Sequence, residues 1–245
     1  MNEIVHEEAW TIEVRGLTKS FGERPALRGI NLQVKQGDHI VIFGPNGAGK
    51  TTLVKALSTL IKPSSGSIML EGIDIRSKSV QVRHRLGLVS HQTFLYDDLT
   101  VYENLKFYGR MYDVPDLEAR IQELVAWLQV ESRLHDRAGT LSHGLQQRVS
   151  IARAVLHSPS IMFLDEPEVG LDPHASSAIR DVLDGVGTGS RTIVMTTHNL
   201  ERGLELGDKI VILDKGKIVY QASRGEVDAS NFQQVYSRYT ETASE

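Results

Sequence analysis

An octapeptide at 44–51, GPNGAGKT, is the feature that most restricts what this chain can fold into. It has the spacing G-x-x-x-x-G-K-[ST], and it stands between a short apolar run, HIVIF (39–43), and a helix-forming stretch, TTLVKALSTLI. Glycines let backbone N–H groups turn inward around phosphate oxygens, and the N-terminus of the helix adds partial positive charge. The pattern therefore predicts a phosphate-binding loop, with Lys50 on the β- and γ-phosphates and Thr51 on Mg²⁺.

Three further apolar runs resemble the one before this loop: LGLVS (86–90), IMFLDE (161–166) and TIVMTTH (192–198). Continuous β-branched runs that alternate with helical stretches are typical of a parallel sheet covered on both faces. In such sheets ligands bind at the carboxyl ends of the strands. A histidine or an acidic turn at one strand end is ordinary structure, but here several strands end in this way. We expect the polar residues at these ends to lie together: Lys50, Gln92, Asp165, Glu166 and His198.

The remaining segments predict a single domain, 1–245, with an insertion. Alternating residues from Trp10 to Val34 read as antiparallel strands around a turn at Phe21-Gly22, and KIVILDKGKIVYQ near the end reads as a hairpin. Thr100 and Glu103 form a capping box that starts a helix, and a second apolar helical face follows. The expected division is an α/β core with an antiparallel β region (1–92 and 155–222), a helical subdomain (93–154) and a short C-terminal tail (223–245). The first nine residues and those from Ser230 onward are polar, so we expect both ends to be loosely held.

The composition excludes several kinds of protein. A net charge of −4 disfavours a general nucleic-acid binder, and the absence of cysteine excludes disulfides, thiolate metal sites and a cysteine nucleophile. The start, MNEIVHEEAW, is not a secretory signal, and no run reaches the 18 or so apolar residues of a membrane span. If the protein acts on a membrane, another chain must supply the spanning part.

Together these motifs resemble the ATP-binding cassette (ABC) ATPases, over about Trp10 to Gln221. GPNGAGKTT is similar to the Walker A loop of that family, IMFLDE to Walker B, and Gln92 to the Q-loop glutamine. LSHGLQQRV (141–149) is similar to the signature motif, VGLD (169–172) to the D-loop, and His198 to the switch histidine. The resemblance implies an α/β fold: a P-loop NTPase core with a parallel sheet, an N-terminal antiparallel β region and an inserted helical subdomain.

The resemblance also implies ATP and Mg²⁺ as cofactors and assigns roles to individual residues. Glu166 would be the catalytic base, His198 would stabilise the γ-phosphate, and Gln92 would sense both the γ-phosphate and the metal. Thr51, Gln92 and Asp165 would hold Mg²⁺. The implied nucleotide-binding residues are Phe21, Gly44, Pro45, Asn46, Gly47, Ala48, Gly49, Lys50, Thr51, Thr52, Ser142, Gly144 and Asp172.

Two of these residues have a second interpretation. Phe21 stands where the family stacks an aromatic ring on adenine, and it is otherwise a core aromatic of the β region. Asp172 followed by Pro173 is also a plain start for a helix over His174–Val186.

One departure from the family pattern concerns His143, which replaces a usual glycine of the signature motif. If Ser142 is the N-cap of a helix, His143 occupies its first position, where ordinary helical dihedrals suffice. Gly144, whose bare N–H can approach a phosphate, is retained. In this family Ser142 and Gly144 contact the γ-phosphate bound by another subunit. Since the chain has one Walker A loop, the resemblance implies that two such chains, or one with a homologue, face each other head to tail.

The family includes transporter ATPases and soluble ATPases that act on DNA or ribosomes. The short helical subdomain after the Q-loop and the absence of a second cassette or a long coiled coil favour a transport subunit. Its partner would be an integral membrane permease, with no nucleic acid, and it would lie at the cytoplasmic face of the membrane. The stretch 89–114 resembles the ATPase of the haem exporter of cytochrome c maturation, and drug and lipid exporters carry similar segments. A nucleotide switch or kinase explains neither the signature helix nor His198.

Overall fold

The computed structural model describes residues 10–77, 79–167, 173–183 and 191–241. Strands and α-helices in this part of the chain follow one another in the order β1 (Ile12–Phe21), β2 (Arg24–Val34), β3 (His39–Phe43), α1 (Lys50–Leu57), β4 (Ser65–Leu70), β5 (Ile73–Asp74), α2 (Ser79–Arg83), β6 (Leu86–Val89), α3 (Val101–Met111), α4 (Leu117–Trp127), α5 (His143–Val155), β7 (Ile161–Asp165), α6 (Pro173–Leu183), β8 (Thr192–Thr196), α7 (Leu200–Leu206), β9 (Lys209–Asp214), β10 (Lys217–Ser223) and α8 (Phe232–Glu241).

A six-stranded sheet carries the four apolar runs, in the order β10-β9-β3-β8-β7-β6. The pairs β3·β9, β3·β8, β8·β7 and β7·β6 are parallel, and β10 closes one edge antiparallel to β9. Every residue of β7 and β8 is buried, as expected for strands covered on both faces. The predicted parallel sheet and C-terminal hairpin are therefore confirmed.

A four-stranded antiparallel sheet, in the order β2-β1-β4-β5, covers one face of this core together with α1. β1 and β2 form the predicted hairpin, in which Phe21 pairs with Arg24 across the turn. The sequence interpretation did not include β4 and β5. β4 pairs antiparallel with β1 and so extends the N-terminal β region by a strand on its other side.

The helical segment packs on the opposite face of the parallel sheet. The capping box that begins α3 is confirmed: the Thr100 hydroxyl accepts a bond from the Glu103 N–H at 3.1 Å, and the Glu103 carboxylate accepts one from the Thr100 N–H at 2.8 Å. Asn104, fully buried, fastens the preceding loop by donating to the carbonyls of Tyr96, Leu99 and Thr100. α5 lies between the sheet and the other helices of this segment and contacts α3, α4, α6 and β6.

The C-terminal region differs from its prediction. Residues 232–241 form the helix α8, so the expectation that the chain is loosely held from Ser230 onward is wrong there. Phe232 is 1% exposed and its ring centroid lies 5.3 Å from that of Phe43 in β3. Val235 and Tyr236 pack against the same core, which explains why a segment of polar composition is helical.

None of the helices in the described ranges is long and apolar enough to cross a bilayer.

Candidate active site

The loop between β3 and α1 is held from behind by other strands. A Cβ on Gly44 would lie 2.3 Å from the Leu213 carbonyl oxygen, so only glycine fits at this position. Gly49 has φ +109, and a Cβ there would lie 2.7 Å from the Ala26 carbonyl oxygen. The Gly216 N–H also donates to the Ala48 carbonyl oxygen at 2.9 Å. The predicted glycines are thus explained by close backbone approach as well as by the turn.

Lys50, the first residue of α1, is 6% exposed and turns back over the loop. Its ammonium group donates to the carbonyl oxygen of Gly44 at 2.7 Å and to that of Pro45 at 3.3 Å. A carboxylate oxygen of Glu166 lies 3.3 Å from the same nitrogen. The loop thus places the Lys50 cation at the N-terminus of α1, and this combination is suited to bind a polyanion. The Glu166 carboxylate lies beside it.

Asp165, at the end of β7, is 2% exposed and accepts two hydroxyl bonds on the same oxygen. Thr51 Oγ1 donates to Asp165 Oδ1 at 3.2 Å, and Thr196 Oγ1 donates to it at 2.7 Å. Thr196 was not among the predicted site residues. Its place follows from the register of the parallel strands, in which Asp165 pairs with Thr196, and the sequence does not reveal that register.

Glu166 connects the loop lysine with the histidine after β8. One carboxylate oxygen faces Lys50, and the other lies 3.5 Å from His198 Nδ1. The Glu166 backbone has φ +48, a left-handed conformation that costs a non-glycine residue of order 1 kcal/mol or more. Its N–H donates to both the Oγ1 atom and the carbonyl oxygen of Thr196, at 3.0 and 3.1 Å, and these bonds hold the turn.

Gln92 lies apart from these contacts. The Ser90 hydroxyl donates to its carbonyl oxygen at 2.9 Å, and its own side chain is exposed. It lines an open groove of about 460 Å³ together with His143 and Gln146 of α5. The structure therefore brings Gln92 beside the start of the signature helix.

The start of α5 has the predicted geometry. Ser142 is the N-cap, with extended dihedrals (φ −61, ψ 155), and its hydroxyl accepts the Leu145 N–H at 3.4 Å. His143 is the first helical residue, so no positive φ is required there, as predicted. Ser142 and His143 are exposed, and Gly144 is half-buried.

The remaining predicted residues lie near the loop or at its edge. Phe21 is 55% exposed with Lys19 Nζ 5.0 Å from its ring centroid, so its alternative interpretation as a core aromatic is wrong. Asn46 and Gly47 are exposed at the loop, and Thr52 is half-buried on α1. The whole VGLD stretch (169–172), which includes Asp172, lies outside the described residues, and so does the end of the helix predicted over His174–Val186.

A family model described as ABC transporter matches residues 27–169, more than half of the chain. The chain belongs to the ABC transporter family. The ABC transporter ATP-binding protein NatA of Bacillus subtilis (strain 168) is 34% identical over 201 residues, which are 81% of this chain and 82% of that protein. The daunorubicin resistance ATP-binding protein DrrA3 of Streptomyces coeruleorubidus is 34% identical over 220 residues, 89% of this chain and 70% of that protein.

A solved structure of similar fold is a dimeric post-hydrolysis state of an ATP-binding cassette bound to ADP and Pi. It superimposes with a TM-score of 0.78 at 26% identity, covering 87% of this chain and 98% of that chain. This ABC protein is therefore an ATP-binding, ATP-hydrolysing subunit of a transporter, and its mixed α/β fold is that of the ABC ATPases. Neither relative's name refers to haem.

Proposed function

We propose that this ABC protein powers the export of a compound across a membrane, bound to an integral membrane permease at the cytoplasmic face and acting as a head-to-tail dimer. The observation that carries the proposal is an asymmetry within one chain. Lys50 contacts Glu166 and Thr51 bonds to Asp165 at the loop, whereas Ser142 and Gly144 lie at a helix start that borders an open groove. Hydrolysis needs both groups, and a second subunit can supply the missing one.

Within one subunit, the nucleotide would lie along the loop 44–52, with Phe21 as the exposed ring for adenine. Lys50 would exchange its bonds to loop carbonyls for bonds to phosphate. Glu166, which faces Lys50 and His198, would take the proton of the attacking water, and His198 would donate to the γ-phosphate.

The residues at the end of β7 suit a magnesium ion. Asp165 and Thr51 bring a carboxylate and a hydroxyl into contact, and the exposed amide of Gln92 would add a third oxygen. Oxygen donors of this kind are what Mg²⁺ prefers. When bound, the ion would neutralise charge on the phosphates.

The membrane partner would dock on an aromatic cleft, which we define by Phe94, Tyr108, Tyr112, Arg153 and His157. The cleft has a volume of about 430 Å³ and lies where α3 and α5 approach β6. Tyr96, Phe107 and Met111 nearby are large side chains exposed to solvent. We call the cleft and these three residues together the docking face. Exposed apolar patches of this kind are typical of surfaces that bind another protein.

The positive charge of Arg153 in the cleft favours a partner that carries a negative charge there. Arg153 is 8% exposed, and its guanidinium lies 5.4 Å from the ring centroids of Phe94 and Tyr108. Burial lowers the pKa of Arg153. None of the described residues that line the cleft is acidic. An amphipathic helix of the permease that brings a carboxylate would complement this site.

The names of the relatives bear on the cargo. The name of the daunorubicin resistance protein favours an exporter of antibiotic-like compounds. Haem is the second candidate, because 89–114, which includes Phe94, Tyr96, Phe107 and Tyr108 of the docking face, resembles the haem-exporter ATPase. Within the expected division of the chain, all residues named for the docking face except His157 belong to the helical subdomain, 93–154.

A purification from membranes tests the membrane partner. Tagged wild-type protein should recover an integral membrane protein that the triple variant Tyr96→Ser, Phe107→Ser, Met111→Ser does not recover. Tyr239→Ser, which removes an exposed aromatic from α8, is the matched control and should recover it. Recovery of nucleic acid or ribosomes instead would refute the transporter assignment, and equal recovery by the triple variant would refute the docking face.

The dimer is tested by light scattering on the Glu166→Gln protein. This variant keeps Lys50 and Thr51 but cannot take up a proton, so ATP should trap it as a dimer. A protein that binds ATP and stays monomeric would contradict the head-to-tail arrangement.

A further inference from the structure

Thr196 is a fully buried hydroxyl at the centre of the site, and the family motifs in the sequence do not include it. It ends β8 directly opposite Asp165, which ends β7. Its Oγ1 atom lies 2.7 Å from Asp165 Oδ1 and 3.0 Å from the Glu166 backbone nitrogen. One side chain thus bonds to both acidic residues of the Walker B run.

The direction of these two bonds is fixed by their partners. A backbone N–H can only donate, so Thr196 Oγ1 accepts from Glu166. The single proton of the hydroxyl is then directed to Asp165 Oδ1, where a carboxylate makes the bond short and charge-assisted. Because the hydroxyl is buried, no water competes with either bond.

Thr51 also donates to Asp165 Oδ1, but its bond is longer, at 3.2 Å. Thr51 is the residue expected to bind a metal ion through a lone pair of its hydroxyl oxygen, so the ion as well as Asp165 determines where this hydroxyl lies. Thr196 lies in β8, beside the Asp165 carboxylate, and is not expected to contact the metal ion. The Thr196 hydroxyl therefore holds the Asp165 carboxylate whether or not a metal ion is bound.

We propose that Thr196 is a positioning residue for ATP hydrolysis: its hydroxyl orients the Asp165 carboxylate for Mg²⁺ and holds the Glu166 backbone in the left-handed turn that directs its carboxylate between Lys50 and His198. The proposal rests on the metal-holding role proposed above for Asp165. Supporting residues of this kind typically change metal affinity or activity about 10- to 100-fold when removed.

The test compares Thr196→Val, which keeps the shape and loses the hydroxyl, with Thr196→Ser, which keeps the hydroxyl. Thr192→Val is the matched control, because Thr192 is buried in the same strand and its hydroxyl accepts the Gly37 N–H at 3.0 Å, away from the acidic pair. For each protein we would measure kcat, unfolding by urea, and ADP affinity by calorimetry with Mg²⁺ and with EDTA.

We expect Thr196→Val to lower kcat about 30-fold and to lose most of the gain in ADP affinity that Mg²⁺ gives, while its ADP affinity in EDTA stays within about twofold of wild type. Thr196→Ser should stay within about threefold of wild type throughout. Thr192→Val should lose stability but keep its kcat within about threefold. Should Thr196→Val fail to fold, Thr196→Ala replaces it in the same comparison.

Three results would overturn the proposal: a kcat of Thr196→Val equal to that of Thr192→Val, a serine variant as impaired as the valine variant, or an equal loss of ADP affinity in EDTA. Asp165→Asn separates this failure from failure of the site assignment. If Asp165→Asn keeps the full effect of Mg²⁺ on ADP affinity, the metal-holding role of Asp165 is wrong, whatever Thr196 does.

Discussion

The two ends of the ATPase machinery differ in how much of their chemistry one chain supplies. The residues of the proposed hydrolytic centre (Lys50, Thr51, Asp165, Glu166 and His198) are linked by hydrogen bonds and close charged contacts at the ends of neighbouring strands. The signature edge (Ser142, His143 and Gly144) lies at the start of α5 and borders an open groove. The pairing of neighbouring strands brings the residues of the first region together, whereas those of the second are consecutive residues at one helix start.

In the proposed head-to-tail dimer, the two regions act on different nucleotides. Damage to the proposed hydrolytic centre should affect the nucleotide bound by the same chain, and damage to the signature edge should affect the nucleotide bound by the opposite subunit. Three substitutions test this contrast, and a fourth tests stability away from both regions.

The largest effect is expected for Glu166→Gln in the hydrolytic centre. Loss of the proposed base should lower kcat about 100- to 1,000-fold, measured as phosphate release. ATP binding should persist, because Lys50 and the loop are unchanged. Glu201→Gln, at an exposed position of α7, is the control and should retain wild-type turnover. Turnover of Glu166→Gln above a tenth of wild type would show that another group takes the proton.

The next effect is expected for Gly144→Val at the signature edge. A branched side chain there should block the helix start and lower turnover about 50-fold, while ADP affinity stays unchanged. Mixing this protein with Lys50→Ala provides the decisive measurement. Each is nearly inactive alone, but a mixed head-to-tail dimer has one intact loop opposite one intact signature edge, so activity should return. No recovery on mixing would break the contrast.

A smaller effect concerns the stability of the segment that ends α5. The His157 ring stacks on Tyr112 with centroids 4.0 Å apart, and Nε2 donates to the Leu86 carbonyl oxygen at 2.9 Å. Nδ1 is buried and has no hydrogen-bond partner among the described residues. Burial lowers the pKa of His157 from 6.5 to about 4. Between these values the unfolded chain binds more protons, so the free energy of unfolding falls as pH falls.

His157→Gln keeps a donor for Leu86 and removes this titration. Its stability loss from pH 7 to pH 4.5, measured by urea unfolding, should be about 2 kcal/mol smaller than that of wild type. His135→Gln, at an exposed position, should lose as much as wild type. Turnover at pH 7 should stay normal for both, since the hydrolytic centre is untouched. Identical pH profiles for His157→Gln and wild type would contradict the interpretation.

The smallest effect is expected for His143→Gly. The residue is exposed and has ordinary helical dihedrals, so nucleotide affinity and turnover should stay within about threefold of wild type. Loss of all ATPase activity would show that the histidine ring itself contributes to the signature edge.

Much of the fold was predictable because its signals are local. The loop motif, the apolar runs and the capping box each depend on neighbouring residues, and all three are in the structure. α8 also has a local signal that its polar composition obscures: its buried and half-buried apolar residues, Phe232, Val235 and Tyr236, have helical spacing. β4 was missed because its strand character depends on pairing with β1, a distant partner.

The candidate site divides in the same way. Residues that end strands were predictable, because the edge of a parallel sheet collects them. Thr196 was not, since its role depends on the pairing of β7 with β8 and on the direction of one hydroxyl proton. The exposure of Phe21 likewise depends on how the β1–β2 turn folds, which the local sequence does not specify.

The support behind the phosphate loop has a consequence for synthesis of the protein. The Leu213 carbonyl lies against Gly44, and the Gly216 N–H donates to the Ala48 carbonyl oxygen; each contact joins residues about 170 positions apart in the chain. A nascent polypeptide that has emerged only as far as Leu200 contains the loop and the Ala26 carbonyl behind Gly49, but neither of these two C-terminal contacts. We therefore expect the loop to reach its final geometry only after the C-terminal hairpin has left the ribosome.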